Sequence, residues 1–315
     1  MLNMPNYDAQ SAHAFMISQA SHIETEVYKA RYPAIRYPSL IPVDTSAHPW
    51  VPSITYFSMD HVGKAAWING AASDIPHADI TRDKFETTVS MAGIGFGFDI
   101  QEVGQAQLLG QNLSASKGMA ARRVAEEFTD NIALFGDASK GMSGLVNTAT
   151  VTDGDAAATG TGSATEWSTK TPQNVLADIN AVLSGIFTDT NTTALADTIL
   201  VPYTQLHDIG QRLLHTNSDK TILDFVVEKN AYTMETGLPL TIRGVRGLET
   251  AGQGSVARLV AYRRSPEVLT LHMPLPFQFL PLWQSGPTTW EVPGILRLGG
   301  LDVRLPREMR YLDGI

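Results

Sequence analysis

Residues 116–134, Ser116-Lys117-Gly118-Met119-Ala120-Ala121-Arg122-Arg123-Val124-Ala125-Glu126-Glu127-Phe128-Thr129-Asp130-Asn131-Ile132-Ala133-Leu134, read as one long amphipathic helix. Val124, Phe128, Ile132 and the following Phe135 share a stripe, and Arg122, Arg123, Glu126 and Glu127 take the solvent side. At 1.5 Å per residue such a helix spans about 28 Å.

Working outward toward the N-terminus, Asp99-Ile100-Gln101-Glu102 places a capping acid with a Glu three positions on, which predicts a short helix to about residue 109. From Ile54 to Asp99 two β segments flank a turn-rich middle, Gly70-Ala71-Ala72-Ser73-Asp74-Ile75-Pro76. In the second segment Ile94, Phe96 and Phe98 fall on one face, and Gly93, Gly95 and Gly97 on the other. A glycine-lined face lets another backbone approach closely. Residues 1–50 carry Pro5, Pro33, Pro38, Pro42 and Pro49, with a helix expected over about 11–29 and then an extended stretch from Tyr32 to Pro38. That pattern describes an arm.

On the C-terminal side, residues 148–165 are nearly all Thr, Ala, Gly or Ser and mark a subdomain boundary. Thr171-Pro172 starts the next helix, whose apolar face is Val175, Ile179, Val182, Leu183 and Ile186. A buried strand at 198–201, helices at about 203–214 and 219–229, and strands at 239–245 and 256–262 follow. The last fifty residues are β-rich, with Leu269, Leu271 and Met273 alternating against Thr270 and His272, and Leu301, Val303 and Leu305 against Asp302 and Arg304. The fold class is α+β.

Only 17% of the 315 residues are charged, against about 25% in an ordinary domain, while 43% are hydrophobic. Either other subunits cover much of the exterior, or the surface is a neutral Thr/Ala/Gly one. The net charge of −9 disfavours a protein whose main task is gripping phosphate backbones. With no cysteine, disulfides, zinc-thiolate sites and cysteine nucleophiles are excluded. The first basic residue is Lys29 and no apolar run approaches a membrane span, so a soluble, unsecreted protein without membrane contact is expected.

Catalytic motifs are incomplete. Ser114-Ala115-Ser116-Lys117 matches the S-x-x-K nucleophile pattern, but Ser218-Asp219-Lys220 and Lys170-Thr171-Pro172 both miss the companion motifs at their third position. The plainer reading is that Ser114 or Ser116 caps the long helix. Gly93-Ile94-Gly95-Phe96-Gly97 has its third glycine one position early for a dinucleotide fingerprint. Gly141-Met142-Ser143-Gly144 has Leu145 where a nucleophile elbow needs glycine. The histidines show no i, i+4 pair, and Asp153 and Asp155 are too few for a calcium loop, so no metal and no cofactor is expected. Arg243, Arg246, Arg258, Arg263 and Arg264 form the most basic part of the chain, with Tyr262 its one nearby stacking aromatic. Subunit ion pairing suits them better than nucleic acid.

Phe98-Asp99-Ile100-Gln101-Glu102, Ala121 to Glu127, Gly136-Asp137 followed by Gly144-Leu145-Val146-Asn147, Leu275-Pro276-Phe277 and the terminal Tyr311-Leu312-Asp313-Gly314-Ile315 occur in an informative order. In that order and spacing, over about residues 50–315, the chain resembles the major capsid proteins of tailed bacteriophages, an encapsulin-like family with the Hong Kong 97 capsid fold. The resemblance implies an N-terminal arm at 1–50, an extended E-loop at 51–98, a peripheral domain at 99–164 and 266–315 with its spine helix at about 116–134, and an axial domain at 165–265. It implies a shell of hexamers and pentamers around double-stranded DNA, located in the virion capsid and assembled in the bacterial host cytoplasm.

Expected partners are further copies of the chain, with portal, scaffolding and decoration proteins as candidates, and packaged DNA contacted weakly and non-specifically. The candidate subunit-contact residues are Tyr32, Tyr37, Lys64, Trp67, Arg122, Arg123, Glu126, Glu127, Arg243, Arg246, Arg263 and Arg264. Some relatives cross-link subunits through a Lys–Asn bond. Lys64 lies in the E-loop-like segment, yet no motif fixes an Asn partner, and a solvated lysine at a strand edge is the common case. Two alternatives stand beside the phage shell: an encapsulin compartment around protein cargo, and a serine hydrolase using Ser114 or Ser116.

Overall fold

Proline and glycine punctuate the chain where its elements begin and end. The computed structural model describes residues 34–63, 77–102, 113–215 and 217–315, and Ile35–Ile315 make up one unit. The helix expected at 11–29 and most of the one following Asp99 lie outside the described residues.

A four-residue helix α1 (Tyr37–Leu40) leads into the short strand β1 (Val43–Asp44). Two ten-residue strands, β2 (Ser53–Val62) and β3 (Asp79–Thr88), pair antiparallel from Ser53 opposite Thr88 to Val62 opposite Asp79. Then come β4 (Ser90–Gly93), β5 (Phe96–Asp99) and the long helix α2 (Leu113–Phe135). The middle of the chain holds α3 (Pro172–Asp189), β6 (Thr198–Pro202), α4 (Tyr203–Gln211), α5 (Ile222–Lys229), α6 (Ala231–Thr236), β7 (Thr241–Val245) and β8 (Arg258–Tyr262). The rest is β9 (Leu269–His272), β10 (Leu275–Phe279), β11 (Trp283–Gly286), β12 (Thr289–Val292), β13 (Gly294–Leu298), β14 (Gly300–Val303) and β15 (Met309–Asp313).

Helix α2 has 23 residues and spans about 34 Å. It stops at Gly136, which adopts φ 70° and donates its N–H to Ile132 O at 2.9 Å. A side chain at Gly136 would also start 2.2 Å from Met142 O, so only glycine fits this turn. The buried face of the helix is Ala121, Ala125, Thr129 and Ala133, joined by Ile132 and Leu134. The expected apolar stripe is therefore divided, for Ile132 is buried while Val124 and Phe128 are exposed. Small side chains let a helix lie close on its support, and the bulkier pair is left outside. Ser114 and Ser116 lie inside α2, not at its cap.

Helix α3 follows the sequence closely. Thr171 Oγ1 accepts the Asn174 N–H, Pro172 occupies the first turn, and all five expected apolar residues are buried.

One four-stranded sheet, in the order β15-β8-β6-β7, is the wall between two hydrophobic cores. Leu200, Val260, Tyr262, Met309 and Tyr311 face one core, while Ile199, Val201, Leu259, Ala261 and Leu312 face the other. Strand alternation makes this division, and burial on both faces explains the uninterrupted apolar runs of β6 and β8. The C-terminal strand β15 thus pairs with β8, across the 265/266 boundary between the axial and peripheral domains that the family resemblance implies.

The second β segment, ending at Asp99, is three strands, β3, β4 and β5, not one. β5 pairs with β12 and β4 with β13, and the ladder breaks at Ile94–Gly95, beside Pro293 between the partner strands. Proline has no N–H to contribute to a ladder. The predicted close backbone approach is present: a Cβ on Gly93 would lie 2.7 Å from Gly294 O, and one on Gly95 2.7 Å from Val292 O. The approaching backbone is the chain's own.

Candidate subunit-contact surfaces

Strand β3 of the β2–β3 ribbon carries its side chains in the open. Every residue of β3 but Thr87 is exposed, and Phe57, Ile80 and Phe85 are exposed large hydrophobics. Tyr56 and Phe85, opposite each other, stack with ring centroids 5.1 Å apart. At the foot of the ribbon the nearly buried Arg297 guanidinium donates to Pro49 O at 2.6 Å and Val51 O at 2.9 Å, and lies over the exposed Trp50 ring. The entry of the ribbon is thereby fixed while its length projects.

A second open surface is on α2. Val124 and Phe128 border a recess of about 190 Å³ together with Ala92, Ile94 and Leu296. Leu282 and Trp283, more than half exposed, form a third at β11. Scattered single hydrophobics are normal on a surface, but adjacent ones mark contact sites.

Of the sequence candidates, Tyr32, Lys64 and Trp67 lie outside the described residues. Tyr37 turns inward, a correction to its expected contact role: it is buried, and its hydroxyl donates to Glu126 Oε2 at 3.2 Å. Burial first and the Glu126 charge second push its phenol well above the ordinary value. Arg123 and Glu127 pair with each other at 3.0 Å along the helix, and Arg122 is exposed.

The arginine group also splits. Arg246 pairs with Asp130 at 3.2 Å, Arg263 with Glu308 and Glu267, and the buried Arg258 donates twice to Asp313 at 2.7 Å. These charges already have partners within the chain, because the fold brings distant carboxylates to them. Arg243 and Arg264 instead line an open recess of about 420 Å³ with Asp197, and Arg264 reaches Pro38 O at 3.3 Å.

Sequence reading missed Asp130. It is fully buried, and its Oδ1 accepts the N–H groups of both Arg36 and Tyr37 at 2.9 Å. It holds the start of α1 to the long helix, and with Arg246 it joins three separate segments. An acid beside Thr129 on the small-residue face was the available signal.

Lys117, the lysine of the S-x-x-K pattern, donates to Glu102 at 2.6 Å and to Gly97 O at 2.8 Å. Its ammonium is committed to tying β5 to α2. Among the described residues no three His, Asp or Glu side chains are grouped to hold a metal ion, and no helix is long and apolar enough to cross a membrane.

A projecting two-stranded ribbon, a long helix beneath sheets and a mixed domain sharing a central sheet together define the Hong Kong 97 capsid fold. Most of the chain superposes on solved shells: the capsid of Myoviridae Phage XM1 with TM-score 0.78 and 16% identity, covering 95% of this chain and 98% of that one. Microbacterium phage Oxtober96 gives 0.63 and 12% over 97% and 98%. A virus-like particle from Pyrococcus furiosus gives 0.50 and 12% over 88% and 91%. A search of curated protein sequences returns no match. The sequence matches the Major capsid protein family over residues 63–315, and the chain belongs to that family. It is a shell-forming capsid subunit.

Proposed function

We propose that this chain assembles as hexamers and pentamers into an icosahedral shell around a double-stranded DNA phage genome, in the cytoplasm of a bacterial host. The observation that carries the reading is the ribbon of β2 and β3, ten residues long in each strand, with β3 exposed at every residue but Thr87. A two-stranded ribbon is marginal alone in water, so its natural support is a neighbouring subunit. Many such contacts, each modest, add up through multivalency.

Its work is structural, not catalytic. Residues 1–50 act as the arm, 51–98 as the E-loop, 99–164 with 266–315 as the peripheral domain, and 165–265 as the axial domain, with β15 returning to the axial sheet. Arg122, Arg243 and Arg264, together with Lys64 and Trp67 of the E-loop segment, are the subunit-contact residues this reading favours. The net charge of −9 suits a wall that confines DNA while touching it weakly. Portal, scaffolding and decoration proteins are its expected partners.

Electron microscopy of the expressed chain, alone and with its genomic neighbours, tests the reading. Uniform icosahedral particles are expected. Small oligomers under every partner condition would overturn it, and particles filled with protein and free of DNA would favour the encapsulin alternative. Intact mass under denaturing conditions tests cross-linking at Lys64, for which a monomer mass alone is expected.

A further inference from the structure

The sheet β15-β8-β6-β7 has two unlike margins. Beyond β15 the chain from Thr152 runs parallel to it: Tyr311 N–H donates to Thr152 O at 2.9 Å, Asp313 N–H to Gly154 O at 2.8 Å and Ala156 N–H to Asp313 O at 2.8 Å. Asp153 and Asp155 on this segment are exposed, and two residues apart in extended chain they share a face. Neither carboxylate has a hydrogen-bond or ion-pair partner among the described residues. Arg258, which feels the Asp153 charge, is already bound twice to Asp313.

The opposite margin is basic. β7 is paired on one side only, with β6. Arg243 of β7 and the exposed Arg264 line the open recess of about 420 Å³, together with Asp197 and Thr241. Asp197 Oδ1 is taken up by the Thr198 hydroxyl at 2.8 Å and the Arg264 backbone N–H at 2.9 Å. The Arg264 guanidinium reaches only the neutral Pro38 O, and that of Arg243 has no hydrogen-bond or ion-pair partner among the described residues. Two guanidinium groups against one carboxylate leave the recess with one positive charge in excess.

The two margins also agree in sense. Val151 and Val245 belong to the same core, and alternation places Asp153 and Asp155 on the side of Val151 and Arg243 on the side of Val245. Both sets of charges therefore lie toward one face of the sheet, at its opposite ends. Within one chain four strand spacings of about 4.8 Å, roughly 19 Å, hold them apart. A second copy can bring them together, and a contact that joins opposite margins of a subunit is head-to-tail, the kind that closes into a ring.

We propose that the segment Asp153-Gly154-Asp155 of one copy docks in the Arg243–Arg264 recess of the next, linking the central sheets of neighbours around each hexamer and pentamer. The proposal rests on the shell reading and deepens it by naming the two margins that meet.

Because the chain has no cysteine, an engineered pair tests the contact cleanly. Gly154→Cys extends into open space and Thr241→Cys changes an exposed residue of the recess, and together they leave all the charges in place. A disulfide needs Cα atoms within about 7 Å, so the two cannot join inside one chain. Oxidised particles of the double variant, run denatured and unreduced, should give a ladder of linked chains ending at five and six, which neither single variant can form. Charge reversal reads the same contact independently. Asp153→Lys with Asp155→Lys, or Arg243→Glu with Arg264→Glu, should lower particle yield about tenfold, and all four changes together should restore most of it. Particles without a ladder, or reversals that leave the yield unchanged, would overturn the contact while the shell reading stands. An unaltered chain that forms no oligomer under any partner condition would overturn the shell reading itself, and the contact with it.

Discussion

β6 and β8 are buried at every residue, whereas β3 is exposed at all but one. All three are regular, hydrogen-bonded strands of one chain. The first two are held by a hydrophobic core on each side, and the ribbon, among its described side chains, by backbone pairing, the Tyr56–Phe85 stack and a hydrogen bond from Ser53 to Glu86. Strand pairing is thus written into both regions, but only one supplies its own burial. The exposed apolar groups of the other are surface that assembly can bury, at roughly 25 cal/mol per Å².

The largest test of that contrast is Asp313→Ala in the buried sheet. Removing the carboxylate leaves Arg258 buried without its partner, and unassembled subunits should lose about 3–5 kcal/mol in chemical denaturation. A loss below 1 kcal/mol would mean the sheet does not carry the subunit.

Alkali should attack the same wall next. Burial pushes the Tyr311 phenol up to about 12. A raised folded-state value means the stabilisation is intact below the unfolded value near 10 and drains away as pH rises from there to 12, roughly 2–3 kcal/mol in all. Subunit stability that stays level across that interval would contradict the assignment.

At the joint between the regions, Gly95→Ala places a Cβ against Val292 O and Pro293 Cα, both backbone. Crowding of that kind costs about 1–3 kcal/mol, readable as a lowered denaturation midpoint.

The smallest effect on the subunit belongs to the ribbon. Phe57→Ser, at a side chain 63% exposed, should move the unfolding curve by less than about 0.5 kcal/mol while lowering particle yield. If subunit stability falls instead and particles form normally, the ribbon serves its own chain and the contrast fails.

Much of this was legible along the chain. The cap at Thr171, the buried stripe of α3, the long helix and the two β segments follow from local spacing, and so does the close backbone approach at the glycines. Exposure of Val124 and Phe128 was not legible, because periodicity reports which residues share a face and not which face is covered. Neither were the inward turn of Tyr37, the junction at Asp130 or the buried His272. Each depends on partners far away in sequence, such as Glu126 for Tyr37 and Asp44 for His272.

Local pattern, set by backbone sterics, proline and glycine, was enough to lay out the ribbon, long helix and mixed middle, and with the family resemblance to name a shell. The tertiary structure alone decided that β15 returns to β8, that one sheet separates two cores, and which charges are already neutralised inside the subunit. The physical reason is that these are choices among long-range partners, where burial and charge pairing in three dimensions outweigh any preference a short segment carries.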